Sequence, residues 1–338
     1  MSAPSSGAAS LPRSVPALGP GPGLASTSES ASGAMPADDV RAAAPSRTVV
    51  LTGATSGLGR AAALAFAREG FRVILVARDP ARGAALVAEI RQGTVAAEPA
   101  AVICDLADSA ALRLAAREIR DLAPRIDVLV NNAGAIFPTR QVTSDGIERT
   151  FATNHLAYFT LTRLLLDRLL AADSARILCT ASKAHRGMRL DFADLQSVHR
   201  YRGYGLLRQN AYGRSKLCNL LFIQELARRL TGSAVTVNAF HPGIVTSTFG
   251  AGAGGAYGLA LRLGRRVAGL SAEASARTLL ALATAPALAG VTGGYFERGE
   301  PVTPSRAARD PRAAHRLWLE SARLAGLDPE LNPHQPPA

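Results

Sequence analysis

The stretch NAYGRSKLCNLLF, Asn210 to Phe222, sets a tyrosine and a lysine four residues apart at the start of an apolar run. Lysine is scarce in this chain: apart from Lys183 and Lys216, its cationic side chains are arginines. Residues four apart share a helix face, so Tyr212 and Lys216 point the same way. A tyrosine with a pKa near ~10 is a poor acid or base at neutral pH. An adjacent ammonium favours the phenolate, so the pair could take a proton from an alcohol or return one to a carbonyl. Three other stretches add to this reading. Ser182 ends the apolar run ARILCTAS, where its hydroxyl could orient a substrate oxygen. Asn154 lies among apolar residues in TFATNHLAYFTLTRLLL, and a buried amide there needs partners. VLVNNAG, Val128 to Gly134, ends another apolar run with two amides and a glycine. Tyr204 and Arg208 repeat the four-residue spacing within a polar stretch, and are read as structural.

A second constellation lies near the start of the apolar pattern. LTGATSGLGR places Gly53, Gly57 and Gly59 between a β-branched run and an alanine-rich one, as a strand, turn and helix require. Glycines there permit a tight turn and close approach to a pyrophosphate, and the helix N-terminus adds amide donors and a favourable dipole. The spacing is GxxxGxG with no following lysine, which argues against nucleoside triphosphate hydrolysis. At the end of the next run, VARD, Arg78 offers a fork to a 2′-phosphate, which favours NADP(H) over NAD(H). Asp79 is the competing feature, able to pair with Arg78 or to serve a ribose.

The elements that must position these residues follow from the pattern. Short apolar runs (RTVVLT, FRVILVA, AAVICDL, IDVLVNNAG, ARILCTAS, AVTVNAF) alternate with helical segments, among them about 109–123, 146–172 and 211–231. That alternation predicts an α/β fold, a doubly wound parallel sheet covered on both faces, in a single domain over 46–328. Residues 1–45, almost all Ala, Pro, Ser and Gly, are expected to be a disordered low-complexity segment. The polar connection 183–210 is long enough to expect a function for it. Residues 247–270, rich in glycine, are expected to form a substrate flap, and 329–338 a flexible tail.

Composition narrows the partners. The formal net charge is +12, yet the arginines are scattered through apolar segments without the basic, aromatic-laced runs of a nucleic-acid binder. Cys104, Cys179 and Cys218 are widely spaced, as buried thiols of a reducing compartment would be. No run reaches the ~18 apolar residues that would span a membrane, and no secretory signal opens the chain, so a cytoplasmic location is expected. His155, His185 and His241 lack a second donor at ligand spacing, so no metal site is expected. Asp191 and Asp194 read as solvated or capping carboxylates.

Taken together, TGATSGLG, Asp105, NNAG, Asn154, Ser182 and Tyr212–Lys216 resemble the short-chain dehydrogenase/reductase family over nearly the whole chain from residue 47. The resemblance implies a Rossmann-type fold and hydride transfer between a nicotinamide cofactor and a small-molecule alcohol or carbonyl. It implies Tyr212 as general acid/base, Lys216 as the group that lowers its pKa and holds the nicotinamide ribose, and Ser182 as the orienter of the substrate oxygen. Asn154 is implied to link Lys216 to solvent through a water. For the cofactor it implies Gly53, Gly57 and Gly59 at the pyrophosphate, Asp105 at the adenine and Asn131 beside the ribose, with Ser56, Leu58, Arg78, Leu106, Ala133, Gly134, Tyr212, Lys216, Pro242, Gly243 and Val245 completing the cofactor-binding set. VARDPARG, ASKAHRG, DFADLQ, AYGRSKLCNLLFIQELARRL and HPGIVTST are similar to the retinol dehydrogenase and WW-domain oxidoreductase branch. Homo-oligomers are frequent in such a family, and no interface signal stands out here. A nucleotide-sugar epimerase or dehydratase, and a non-catalytic cofactor-binding scaffold, remain as alternatives. The first would be expected to show GxxGxxG spacing and a larger C-terminal portion.

Overall fold

A computed structural model of the chain describes residues 46–94, 98–204, 209–243 and 271–331. Residues 1–45, the expected flap 247–270, Arg208, Val245 and most of the expected tail lie outside the described residues. The β-branched runs form β1 (Thr48–Thr52), β2 (Arg72–Ala77), β3 (Ala100–Ile103), β4 (Val128–Asn131), β5 (Arg176–Thr180) and β6 (Thr236–His241). Two short strands follow, β7 (Tyr295–Glu297) and β8 (Glu300–Pro301). The sheet order is β3-β2-β1-β4-β5-β6-β7-β8. Successive strands pair in parallel as far as β7, and only β8 runs antiparallel. This is the expected doubly wound sheet.

Side chains alternate across it. Val49 and Leu51 of β1 face a core built with α1 (Gly57–Arg68), α2 (Pro80–Gly93) and α8 (Ala272–Thr284). Val50 faces the other core, formed by α3 (Ser109–Leu122), the helical segments after β4, α7 (Ala211–Arg229) and α9 (Pro311–Ala325). Because the chain order reverses between β1 and β4, their carboxyl ends diverge there, which is where such sheets bind ligands.

The helix expected over 146–172 is four pieces: α4 (Arg149–Phe151), a π turn (Ala152–Leu156), α5 (Ala157–Leu164) and α6 (Leu166–Leu170). The extra residue in the π turn barely disturbs the apolar periodicity, so the pattern reads as one helix. Pro329, the first residue of the expected tail, is docked. Its carbonyl accepts from Trp318 Nε1 at 2.7 Å and Arg229 Nη1 at 3.1 Å. No described helix is long and apolar enough to cross a membrane.

Candidate active site

The glycine turn is closed by contacts within the chain itself. Gly53 has φ +66°, and a Cβ on Gly59 would stand 2.0 Å from the Gly53 carbonyl oxygen. The turn therefore folds only if the first helical residues can lie against it, which a side chain at 59 forbids. Beneath it, Thr52 Oγ1 accepts the Asn132 and Ala133 amides at 2.9 and 3.0 Å. Asn132 Nδ2 donates to the Thr52 carbonyl at 3.1 Å and its Oδ1 accepts from Thr180 Oγ1 at 3.2 Å. Asn132 thus ties β1 to β5 across the divergence point. Ala133 lies against Gly53, and its carbonyl accepts the Tyr158 hydroxyl at 2.7 Å.

α1 starts unlike α2, α3, α7, α8 and α9. Each of those has an N-cap side chain accepting a backbone amide, supplied by Asp79, Asp108, Asn210, Ser271 and Asp310. Ser56 caps α1 without a side-chain hydrogen bond, and no acidic residue stands in its first turn. Gly57 follows with φ +49°, and Leu58 and Gly59 are buried behind it.

At the end of β2, Arg78 is exposed. Asp79 accepts the Arg82 amide at 3.1 Å and pairs with the Arg82 guanidinium at 3.6 Å, so it is occupied by its own helix rather than by Arg78. After β3, Asp105 accepts the Ala107 amide at 3.0 Å and lies 3.5 Å from Arg149, with Leu106 half-buried beside it. Beyond β6, Pro242 accepts the Ser275 hydroxyl at 2.9 Å and Gly243 adopts φ +83°.

The other half of the site is built on α7. Asn210 Oδ1 accepts the Gly213 amide at 2.7 Å, and the Tyr212 amide donates to Gly203 in the long connection at 3.1 Å. Tyr212 is 8% exposed and Lys216 2%. Lys216 Nζ donates to the Thr180 carbonyl at 2.8 Å and lies 5.8 Å from the Tyr212 ring centre and 5.6 Å from that of Tyr158. Burial pushes its ammonium down to about 8, with Cys179 opposing. Ser182 caps the 3-10 turn Lys183–His185 and accepts the Ala184 amide at 3.2 Å. That turn presses on α7 at Gly213, where a Cβ would stand 2.7 Å from the Ala184 carbonyl oxygen.

Asn154 sits in the π turn and is fully buried. Its amide brackets Ala135, accepting the amide at 2.8 Å and donating to the carbonyl at 2.9 Å, and also donates to Ser215 Oγ at 3.1 Å. Ser215 in turn donates to the Tyr212 carbonyl at 2.7 Å. Among the described residues no hydrogen bond joins Asn154 to Lys216; the amide clamps the loop after β4, which includes Gly134, to α7. The Asn131 side chain is turned into the core, donating to Thr162 at 3.0 Å, and it is Asn132 that lies at the sheet's edge.

The remaining polar residues are held structurally. His155 binds Ser321, His185 binds Ser182 and Ser305, and burial lowers the pKa of both, as it does that of His241. Asp191 and Asp194 accept backbone amides of their own loop. All three thiols are free and buried. Thr52, Asn132, Thr180, Tyr158 and Ser215 escape a sequence reading because each engages a residue distant in the chain. The second amide of NNAG was the one available signal.

Known proteins resemble this chain over most of its length. Residues 47–191 match the family model described as short chain dehydrogenase. Human retinol dehydrogenase 13 is 40% identical, over 85% of this chain and 87% of its own. A Streptomyces protein named as a daunorubicin C-13 ketoreductase is 41% identical, over 83% of this chain and 93% of its own. A solved Beutenbergia cavernae protein, described as an NAD(P)-dependent gluconate 5-dehydrogenase with NADP at low occupancy, is 29% identical with a TM-score of 0.60, covering 75% of this chain and 94% of its own. The chain belongs to the short-chain dehydrogenase/reductase family, in its retinol dehydrogenase branch, and is an oxidoreductase.

Proposed function

We propose that the chain transfers a hydride between NADP(H) and an alcohol or carbonyl substrate, with Tyr212 as general acid/base. The observation that carries this reading is the placement of Lys216, buried without a carboxylate partner among the described residues and 5.8 Å from the Tyr212 ring. A positive charge there stabilises a phenolate as it forms. In the reductive direction Tyr212 gives its proton to the carbonyl oxygen, and in the oxidative direction it takes one from the alcohol. The Ser182 hydroxyl donates a hydrogen bond to that same oxygen and holds it beside Tyr212. Asn154 keeps the loop after β4 and the start of α7 in register.

The chain fits a dinucleotide at the α1 turn. Gly53 and Gly59 let helix and loop close on each other, and the α1 start bears neither a side-chain cap nor an acid to compete with a phosphate. Gly53, Ser56, Gly57, Leu58 and Gly59 would hold the pyrophosphate, and Asp105 and Leu106 the adenine. The Asn131 backbone, Ala133, Gly134 and Lys216 would flank the nicotinamide ribose, with Pro242, Gly243 and Val245 past β6. The nicotinamide, when bound, supplies or accepts the hydride. NADP(H) is favoured because Asp79 is taken up by α2 while Arg78 stays exposed at the end of β2. A bulky lipophilic substrate is supported by the names given to the relatives, which refer to retinol and to C-13 of daunorubicin. Three free buried thiols suit the reducing environment of a cytoplasmic protein.

The test is fluorescence titration with NADPH and NADH in parallel, followed by NADPH oxidation with a panel of carbonyls including retinal and a polycyclic ketone. NADPH should bind at least about tenfold tighter, ~1.4 kcal/mol, and Arg78→Ala should abolish that margin. Preferential NADH binding would overturn the cofactor assignment, and binding of neither the whole reading.

A further inference from the structure

Behind Ser182 stands a histidine that the proposed chemistry does not use. His185 is fully buried at the end of the Lys183–His185 turn, its ring edge-on to Tyr295 of β7 at 5.4 Å between centres. Both ring nitrogens are engaged. The Ser305 backbone amide lies 3.2 Å from Nε2, and because a peptide N–H can only donate, Nε2 must carry the lone pair. The proton of the neutral ring is then on Nδ1, which donates to the Ser182 carbonyl at 2.6 Å. A second proton on the ring would set N–H against N–H at Nε2, so the same contact disfavours the cation.

The Ser182 carbonyl also accepts the His185 backbone amide, at 3.1 Å. Two donors on one carbonyl hold ψ of Ser182 at 150°, and with φ −156° they fix the direction of its Cα–Cβ bond. The segment that supplies the Ser305 amide is itself anchored. Val302 N donates to the Tyr295 carbonyl at 2.8 Å, and Arg186 Nη2 donates to the Thr303 carbonyl at 3.4 Å.

We infer that His185 is a positioning residue for the reaction: held as the neutral Nδ1–H tautomer by the Ser305 amide, it locks the Ser182 peptide and so aims the Ser182 hydroxyl. The stretch after β8, far along the chain from Ser182, is thereby part of the site's support. The inference rests on Ser182 orienting the substrate oxygen, and the experiment separates the two.

Ser305 has φ −60°, a value proline adopts, so Ser305→Pro removes the amide proton and sets a ring carbon against Nε2 in its place, which breaks the contact and displaces the His185 ring. Ser305→Ala keeps that proton and removes only the hydroxyl. On the ¹⁵N-labelled full-length chain with NADPH, long-range ¹H–¹⁵N correlation at neutral pH should show His185 protonated at Nδ1 and bare at Nε2. His185→Asn assigns the signal by its loss. With retinal, or whichever carbonyl of the panel turns over best, kcat of Ser305→Pro should fall about 10-fold or more below that of Ser305→Ala, with KM and NADPH affinity moved less than about 2-fold. His185→Asn, whose amide nitrogen can reach the Ser182 carbonyl, should retain more activity than His185→Leu. A proton on Nε2 in the wild-type chain overturns the inference with no variant needed. So does Ser305→Pro matching Ser305→Ala in kcat while Ser182→Ala is impaired. Undiminished kcat in Ser182→Ala overturns the role of Ser182, and the inference with it.

Discussion

The two halves of α7 bury cations in opposite ways. Near its start Lys216 meets a carbonyl and two tyrosine rings, and among the described residues no carboxylate pairs with it. Near its end Arg229 is almost as buried, but its Nε lies 2.8 Å from Glu225 Oε1 and it stacks on Trp318 at 4.6 Å. Glu225, also buried, takes Arg228 and His315 as well. One helix thus carries a neutralised charge where it joins α9 to the core, and an unneutralised one where it meets the sheet's carboxyl edge. A cation paired with a carboxylate has its field cancelled locally; only the unpaired one can act on a neighbouring hydroxyl.

The largest effect should come from Tyr212→Phe, which keeps the ring beside Lys216 and removes the proton. Turnover should fall about 10²–10⁴-fold in steady-state assays while NADPH affinity persists. Wild-type turnover would erase the functional half of the contrast.

Glu225→Ala addresses the structural half. Leaving Arg229 buried without its carboxylate should cost about 3–5 kcal/mol in urea unfolding, with kcat of the folded protein retained. Burial would raise the Glu225 carboxyl, but hydrogen bonds from Arg228, His315 and Arg229 outweigh it and hold its pKa below the ordinary 4.5. Its contribution is therefore complete above that value and lost as pH falls through the lower folded one, so the gap between wild type and variant should close in acid. A gap independent of pH would count against the charge pairing.

Lys216→Met addresses the other cation: it should abolish turnover and remove a pH dependence of stability. The ammonium loses its proton at about 8 when folded against 10.5 ordinarily, so between those values the unfolded chain binds the extra proton. Wild-type stability should rise across that window by about 3 kcal/mol relative to Lys216→Met. Denaturant titrations at neutral and high pH read this directly, and parallel curves would mean that the lysine is not desolvated.

The smallest effect carries the contrast to α2. Asp79→Ala should cost about 1 kcal/mol through the lost cap and leave the preference for NADPH in place. A switch in cofactor preference would show that Asp79 does more than cap its helix.

What could be read in advance divides along similar lines. The six β-branched runs, the glycine turn and the face shared by Tyr212 and Lys216 depend on residues close in sequence, whose periodicity and spacing are printed in the chain. Asp79 could not be settled that way, because a carboxylate at a strand end and one at a helix N-cap are the same letter. Asn131 and Asn132 are adjacent and chemically identical, and only the strand's alternation decides which enters the core and which bridges Thr52 to Thr180. β7 and β8 are too short to show a period, and the docking of Pro329 on Trp318 and Arg229 joins positions with no local pattern.

The π turn bears on how this chain can change over time. Ala157 N donates to Ala152 O, five residues back instead of four, so the turn holds one residue more than an α-helix would. Losing any one residue from Ala152–Leu156 would close the turn into ordinary helix, with the flanks kept nearly in register but the residues within the turn re-aimed. Asn154 could not then face both Ala135 and Ser215. Amino acids there can be exchanged within limits of size, but the length cannot, so deletions should be purged from these five positions more strictly than substitutions.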